Sequence, residues 1–344
     1  MRTLSRVAPA LLLLVLSPLV AEFLLGDFPI TKVAFLLFVL PMYGCGAILI
    51  REIVRRTGRG WPTMLVLALA YAVLEEGITT MSLFNPNYAG DHLLAYGLIP
   101  AVGMSPVWTI YVLSLHVVWS IGTPIAMVEA VAGTRRTTPW LGKIGFSVVA
   151  AFFVVGVAVT TASSLYQYPF VASLPQLAGV VVVLVALILL AIFLPRLAGP
   201  RTVLAGSAPS PWLVGVVGTL AALAFQLVER YAQALLPAWG LTLVFVVLWV
   251  GFLVLVAFWS AKPGWNGRHV LALATGAILN YAWIGVERVA TGDVIGPLKV
   301  TPADVVGQVL LVVAMVALIG WGVFQLRKAG DTALPAAALN PVTH

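Results

Sequence analysis

The sequence predicts an all-α, polytopic bundle of about ten transmembrane helices, and two observations carry this prediction. Hydrophobic residues make up 61% of the 344 residues, charged residues make up 9%, and the mean hydropathy is +1.06. Soluble domains contain about 45–50% hydrophobic residues and about 25% charged residues. The apolar residues also fall into runs of about 20, the length that crosses a hydrocarbon core. The single cysteine excludes an internal disulfide.

Ten such runs follow one another, separated by Gly, Pro and Asn residues that are typical of turns. They cover approximately residues 8–26, 30–50, 61–83, 106–131, 142–164, 173–195, 211–235, 239–261, 266–290 and 303–326. The first run follows a short basic region and has no convincing small-residue cleavage site. We therefore interpret it as an uncleaved span rather than a removed signal peptide.

We expect residues 1–330 to form a single transmembrane helical domain. Its most linker-like stretch, 198–211, separates helices 1–6, which end near residue 197, from helices 7–10, which end near residue 328. The composition of residues 331–344 predicts a disordered tail.

The distribution of basic residues predicts the orientation of the chain. If the N-terminus is cytoplasmic, 15 of the 19 basic residues fall at cytoplasmic helix ends. The exceptions are Lys32, Arg230, Arg288 and Lys299. We therefore expect a multi-pass protein of the cell membrane with both termini in the cytoplasm. This asymmetry and attraction to anionic lipid headgroups explain the net charge of +7, so the expected partners are membrane lipids and not nucleic acid.

Two adjacent carboxylates, Glu75 and Glu76, interrupt the apolar run 61–83. A charged residue at the centre of a membrane helix costs at least about 2.5 kcal/mol, and consecutive helical residues point about 100° apart. The helical rise places Glu75 roughly 20 Å up its span and His116 roughly 15 Å down the next one. We predict that Glu75, Glu76 and His116 are catalytic and that they are candidate ligands for a divalent metal ion, although the residues do not identify the metal.

Polar residues from other spans are predicted to lie in the same outer layer, where they would bind a substrate or a cation. They are Glu22, Glu229, Arg230, Asn280, Glu287 and Arg288. Carboxyl groups outnumber arginines in this layer. Either some of them hold a proton, or His116, a metal ion or a cationic substrate neutralises the excess. The alternative for the two Glu-Arg pairs is a salt bridge that joins helix ends, and Glu52 and Glu129, beside arginines at the cytoplasmic ends, are predicted to be structural.

The seventh and ninth spans resemble each other, because LVERYA in one matches GVERVA in the other. A glycine, Gly218 or Gly276, lies eleven positions before each glutamate. An internal repeat would produce this pattern, and so would chance among apolar helices. The segment 82–106 is long for a connection between spans, which favours either a lid over the glutamate layer or an ordinary exterior loop.

A Glu-Glu pair on one span followed by a histidine on the next resembles the CPBP (CAAX-processing and bacteriocin-processing) intramembrane proteases and the distantly related PrsW-like proteases. The resemblance implies a glutamate that activates water, with histidine and asparagine on later helices completing the site and a metal as candidate cofactor. Glu75, Glu76 and His116 match the first two parts of that pattern.

The sequence departs from that pattern at three positions. Thr80 and Val112 replace the family's arginine and phenylalanine, and Gly276 stands where a histidine would precede Asn280 by four residues. Through its REIVRRTGRGW and EEG…SLFNP segments, the whole chain also resembles uncharacterised actinobacterial polytopic membrane proteins, a likeness that implies no activity.

The sequence leaves three functions open. An intramembrane protease-like hydrolase would use Glu75 or Glu76 as general base and His116 to orient water or a metal. A proton- or cation-coupled transporter or permease would use the buried carboxylates to carry protons or bind a small cationic substrate. A non-catalytic assembly subunit would instead have another membrane protein as its partner.

Overall fold

The computed structural model of the protein describes residues 2–197, 203–295 and 298–330. Within these residues the chain forms ten helices that are long and apolar enough to cross a membrane, which confirms the predicted fold class. Their spanning parts are α1 (Arg6–Leu24), α2 (Ile30–Arg56), α3 (Trp61–Thr79), α4 (Pro106–Arg135), α5 (Lys143–Gln167), α6 (Leu174–Leu194), α7 (Pro211–Ala232), α8 (Ala238–Ser260), α9 (Gly267–Thr291) and α10 (Pro302–Lys328).

Two sequence predictions fall partly or wholly outside the described residues. The predicted linker 198–211 is described only from residue 203, and the predicted tail 331–344 is not described. The division of the chain into six and four helices stays a prediction.

Several helices begin with a capping residue followed by proline. Ser105 accepts a hydrogen bond from the Trp108 backbone N–H, and Pro106 occupies the first turn of α4. Ser210 and Pro211 begin α7 in the same way. A serine cap satisfies one of the free N–H groups of the first turn, and proline fits there because its missing N–H has no acceptor in that turn. These signals set the starts of both helices at the predicted residues.

The helices that carry the glutamate pair and the histidine are among the most buried spans. More than half of the residues in the most apolar stretch of α3, α4 and α9 are buried, whereas at most 11% are buried in that stretch of α5, α6 and α8, which lie at the surface of the bundle. In a membrane protein that surface faces lipid, so the exposed apolar side chains of α5, α6 and α8 are the expected lipid contacts.

The two spans with matching sequences, α7 and α9, pack directly against each other. A methyl group added to Gly276 would lie 2.6 Å from the backbone nitrogen of Thr219 and 2.9 Å from the carbonyl carbon of Gly218. Backbones approach this closely in membranes where small residues form the interface. The matched glycines therefore mark the crossing point of α7 and α9.

Buried ion pairs join the end of α2 to α4. The Arg51 guanidinium lies 2.7 Å from Glu52 and 3.1 Å from Glu129, and Arg55 lies 2.5 Å from Glu129. Arg51 also stacks on the Trp140 ring, 3.5 Å from its centroid. This confirms that Glu52 and Glu129 lie against arginines. The side of the membrane that this end faces stays a prediction.

Candidate functional site

Within the described residues, three spanning helices contain a π-helical segment, in which the turn widens to take an extra residue. The segments are Leu19–Leu24 of α1, Glu75–Thr79 of α3 and His116–Gly122 of α4. The first contains Glu22, the second contains both Glu75 and Glu76, and the third contains His116, all of which were singled out in the sequence. Because π-segments are rare and frequent at functional sites, their occurrence here marks this region as the candidate site.

Glu75, Glu76 and His116 form a compact buried group. His116 Nε2 lies 2.5 Å from Glu76 Oε1, and His116 Nδ1 lies 3.2 Å from Glu75 Oε2. One ligand atom from each residue lies within 4.8 Å of the other two, and all three residues are buried. We call them the Glu75–Glu76–His116 triad. The structure brings together the three residues predicted to be catalytic, and their catalytic role stays a prediction.

Glu76 is the anchored carboxylate of the triad. Its Oε2 atom accepts hydrogen bonds from the Ser82 hydroxyl and, at 3.0 Å, from the Thr80 hydroxyl. Met81, between these two residues, has a φ of 56°, a left-handed conformation that side chains rarely adopt. This turn folds the chain back after α3, and the Leu83 N–H then donates to the Glu76 carbonyl at 3.2 Å.

Glu75 is the less satisfied carboxylate. Although Glu75 Oε2 lies 3.2 Å from His116 Nδ1, it has no hydrogen bond of acceptable geometry within the described part of the chain. The same is true of the Tyr71 hydroxyl and the Thr79 hydroxyl. A buried polar group without a partner costs about 1–3 kcal/mol. Because the Tyr71 side chain also interacts with Glu75, the capacity left for a further ligand is that of Glu75 Oε2 and the Thr79 hydroxyl.

The donor set fits a divalent metal ion. Imidazole and carboxylate are ordinary ligands of zinc and of other divalent transition metals, and a buried metal would compensate the two neighbouring carboxylates. Of the two carboxylates, Glu75 is the more available ligand, because Glu76 Oε2 is already held by Ser82 and Thr80. His116 Nε2 contacts Glu76, so the imidazole would bind the metal through Nδ1, on the side of Glu75.

Aromatic rings hold His116 in place. The rings of Tyr43 and Tyr71 lie 5.9 Å and 6.2 Å from the imidazole between centroids. On the same π-segment, Trp119 stacks on Tyr281 with centroids 4.7 Å apart, and its indole N–H donates to the Ala277 carbonyl at 2.9 Å. Packing from α2, α3 and α9 thus restricts the movement of His116 and of the π-segment that carries it.

Serine side chains stabilise the π-segment of α4 itself. Ser17 of α1 donates to the Ser120 carbonyl at 2.6 Å. Ser120 Oγ in turn lies 3.3 Å from His116 Nδ1. The Ser120 carbonyl of this widened segment is therefore bonded to a neighbouring helix, as a membrane interior requires.

The other predicted site residues lie in different surroundings. Glu22 is half-buried and interacts electrostatically with Glu75 and His116, so it belongs to the region of the triad. Arg230 forms two hydrogen bonds with Glu287, at 2.8 Å and 2.6 Å. This confirms the alternative of a salt bridge between helix ends for that pair.

Arg288 and Asn280 also make contacts that stabilise the bundle. Arg288 pairs with Asp27 in the connection between α1 and α2. Burial raises the pKa of the Asp27 carboxyl above its ordinary value, and the Arg288 guanidinium opposes this rise. Asn280 donates to the carbonyls of Thr219 and Gly276 at 3.1 Å and 2.8 Å, so it joins α9 to α7. That these residues bind a substrate or a cation stays a prediction.

A cavity of about 310 Å³ lies between the 82–105 segment, α4 and the end of α7. It is lined by Asp91, His92, Leu93, Ala95, Tyr96, Val107, Trp108, Tyr111, Glu229 and Gln233. Trp108 connects this cavity to the triad, because its indole N–H donates to Ser82 Oγ at 3.3 Å and Ser82 donates to Glu76. Residues of the 82–105 segment thus form one wall of a cavity beside the triad.

Comparison with known proteins gives one match. The model of an uncharacterised membrane protein family matches residues 11–329. This supports the interpretation of the chain as a membrane protein but not its resemblance to the CPBP or PrsW-like proteases. No curated protein matches the chain. No solved structure matches it either.

Proposed function

We propose that the chain, which belongs to this uncharacterised membrane protein family, is a membrane-embedded hydrolase whose reaction centre is the Glu75–Glu76–His116 triad holding a divalent metal ion. The observation that carries the proposal is the meeting of two carboxylates and an imidazole, buried within 4.8 Å of one another, at two π-segments. Such groups are expensive in a membrane and commonly mark function.

The surroundings of the two carboxylates support different roles for them. Glu76 is bonded to Ser82, Thr80 and His116, which suits a residue that fixes the geometry of the centre. Glu75 Oε2 has no hydrogen bond within the described residues, which suits an acceptor for a proton. We therefore assign the general base to Glu75 Oε2, while the other oxygen of the same carboxylate would ligate the metal, and we assign the positioning of His116 to Glu76.

In the proposed reaction, a water oxygen attacks the carbonyl carbon of an ester or amide while Glu75 accepts one of the water protons. The bond between the carbonyl carbon and the leaving oxygen or nitrogen then breaks, and Glu75 returns the proton to the leaving group. The products are a carboxylic acid and an alcohol or amine. A bound divalent metal ion would supply a Lewis acid that polarises the carbonyl.

A second candidate is a proton- or cation-coupled transporter. Its specific support is Glu22, which interacts electrostatically with Glu75 and His116 and brings a third carboxylate from α1 to the same region. Carboxylates buried together in this way are used by transporters as proton carriers. In that case the triad would bind protons or a cation without breaking a covalent bond.

The experiment compares bacterial membranes that contain wild-type protein, Glu75→Gln or the control Asp293→Asn at equal abundance. Asp293 is an exposed carboxylate outside the triad and the cavity. Newly formed peptide termini and lipid hydrolysis products are measured by mass spectrometry. We expect hydrolysis products in membranes with wild-type protein or Asp293→Asn, and we expect none of these products in membranes with Glu75→Gln.

If membranes with Glu75→Gln contain the same peptide termini and lipid hydrolysis products as membranes with wild-type protein, the hydrolase proposal is wrong. Proton uptake by proteoliposomes then separates the two remaining functions. A flux that Glu75→Gln abolishes would identify a transporter, and the lack of any flux would leave an assembly subunit.

A further inference from the structure

The cavity beside the triad has an acidic and aromatic lining. Asp91 and Glu229 contribute carboxylates, and Tyr96, Trp108 and Tyr111 contribute aromatic rings. Among the described residues that line it there is no lysine or arginine. At about 310 Å³, it is at the lower end of the range of about 300–1,000 Å³ for ligand pockets, so it fits a small group rather than a long chain.

Glu229 lies within electrostatic reach of Arg230 and Arg288, but each of these arginines pairs with another carboxylate, which leaves Glu229 available to a ligand. Arg230 bonds Glu287 in a bidentate arrangement, and Arg288 pairs with Asp27. Within the described residues, Glu229 forms no salt bridge, and its hydrogen-bond partner is the Gln233 amide at 3.5 Å. A half-buried carboxylate in this position favours a positively charged ligand.

The aromatic rings suit the same kind of ligand. Trp108 and Tyr111 both line the cavity, with ring centroids 6.1 Å apart at an interplanar angle of 45°, and Phe225 stacks on Tyr111 with centroids 5.6 Å apart. Cations are attracted to the faces of such rings, and aromatic lining is the usual way in which proteins recognise quaternary ammonium groups. Neither feature would favour an anion or a phosphate.

Trp108 also connects the cavity with the triad. Its indole N–H donates to Ser82, and Ser82 donates to Glu76. A group held against Trp108 is therefore two hydrogen bonds away from a triad carboxylate.

We propose that this cavity binds a small organic cation, an amine or quaternary ammonium group, that forms part of the substrate. That the cation is part of a substrate rests on the proposed function, whereas its binding to the cavity does not. The cation belongs either to a lipid headgroup or to a free amine, since both present the same chemistry to the carboxylates and the rings.

The test uses the full chain in nanodiscs of phosphatidylglycerol, which has no amine headgroup. Choline and its uncharged isostere 3,3-dimethylbutan-1-ol are titrated by calorimetry. We expect saturable binding of choline, and binding of the isostere that is weaker by at least about tenfold. Equal binding of the two molecules, or none by choline, overturns the proposal.

Variants test the assignment of the cavity. Glu229→Gln should weaken choline binding by about tenfold, as should Asp91→Asn, which changes an exposed residue and keeps the test independent of folding. Asp293→Asn should leave it unchanged. Wild-type affinity in both cavity variants would contradict the proposal.

Metal loading of the same samples separates this inference from the proposed function. Choline binding without metal at the triad would refute the metal centre alone, and metal binding without choline binding would refute the cation site alone. Repeating the titration in phosphatidylcholine nanodiscs identifies the source of the cation. A lower apparent affinity for choline indicates a lipid headgroup, and an unchanged affinity indicates a free amine.

Discussion

His116 Nε2 lies 2.5 Å from Glu76 Oε1, a buried contact between residues 40 positions apart in sequence that joins α4 to α3. The connection between these helices includes the 82–105 segment, which lines the cavity. This pair of side chains therefore belongs both to the contact between α3 and α4 and to the proposed reaction centre, and the segment that joins the two helices forms a wall of the cavity. Replacing either partner should therefore affect stability as well as function.

We expect His116→Leu to destabilise the protein by about 3–5 kcal/mol, because it leaves Glu76 buried without its imidazole partner. The measurement is unfolding by SDS in mixed micelles. Glu76→Gln and the double variant complete a cycle, in which we expect a coupling of about 0.5–3 kcal/mol. Strictly additive effects of the two substitutions would contradict a direct interaction.

A comparison of two ion pairs tests the role of the α2–α4 network. Arg51→Met should cost about 3–5 kcal/mol, because it leaves buried carboxylates with too few partners. Arg230→Met removes an exposed pair and should cost at most about 1 kcal/mol. Both free energies come from the same SDS unfolding assay. Equal losses would show that burial does not distinguish the two pairs.

Gly276→Ala tests the close crossing of α7 and α9. The added methyl group would lie 2.6 Å from the Thr219 backbone nitrogen, and overpacking of this kind costs about 1–3 kcal/mol. The control is Gly251→Ala on α8, where an added methyl group meets no atom within 4 Å. We expect the control to be neutral or stabilising, since alanine is the better helix former. If Gly276→Ala matches the control, the helices do not cross at this glycine.

The ten spans were predictable because hydropathy and length are local properties of the sequence. The site was predictable in part for a similar reason. Counting residues along two successive spans brings Glu75 and His116 to similar depths, without any knowledge of side-chain packing. The alternative of a salt bridge between helix ends also followed from the sequence and is confirmed for Arg230 and Glu287.

Other parts of the site depend on the backbone and could not be read from composition. Ser82 reaches Glu76 because Met81 adopts a left-handed conformation, which nothing in a methionine residue indicates. Asp27 lies in a short connection, and it pairs with Arg288 because α9 passes beside it. The sequence shows both charges, but only the packing of the helices shows that they pair with each other.

Ser82→Ala tests the hydrogen bonds around the triad. Loss of a group that orients a metal ligand typically lowers metal affinity by about 10–100-fold, and we expect a loss in this range. The measurement is a competitive titration of zinc against a chelating dye. The matched control is Ser114→Ala on α4, because Ser114 is buried but donates to the Ile110 carbonyl of its own helix. Equal zinc affinity in the two variants would contradict a role for Ser82 in holding Glu76.

The most direct test of the account is the zinc content of the purified protein in nanodiscs. The protein is stripped with chelator, reloaded with zinc and dialysed, and metal is measured by mass spectrometry alongside size-exclusion profiles. We predict one zinc ion per chain for wild type and for Asp293→Asn, and almost none for folded Glu75→Gln and His116→Gln. Wild-type zinc content in these two triad variants, or no bound zinc in the wild type, would contradict the account.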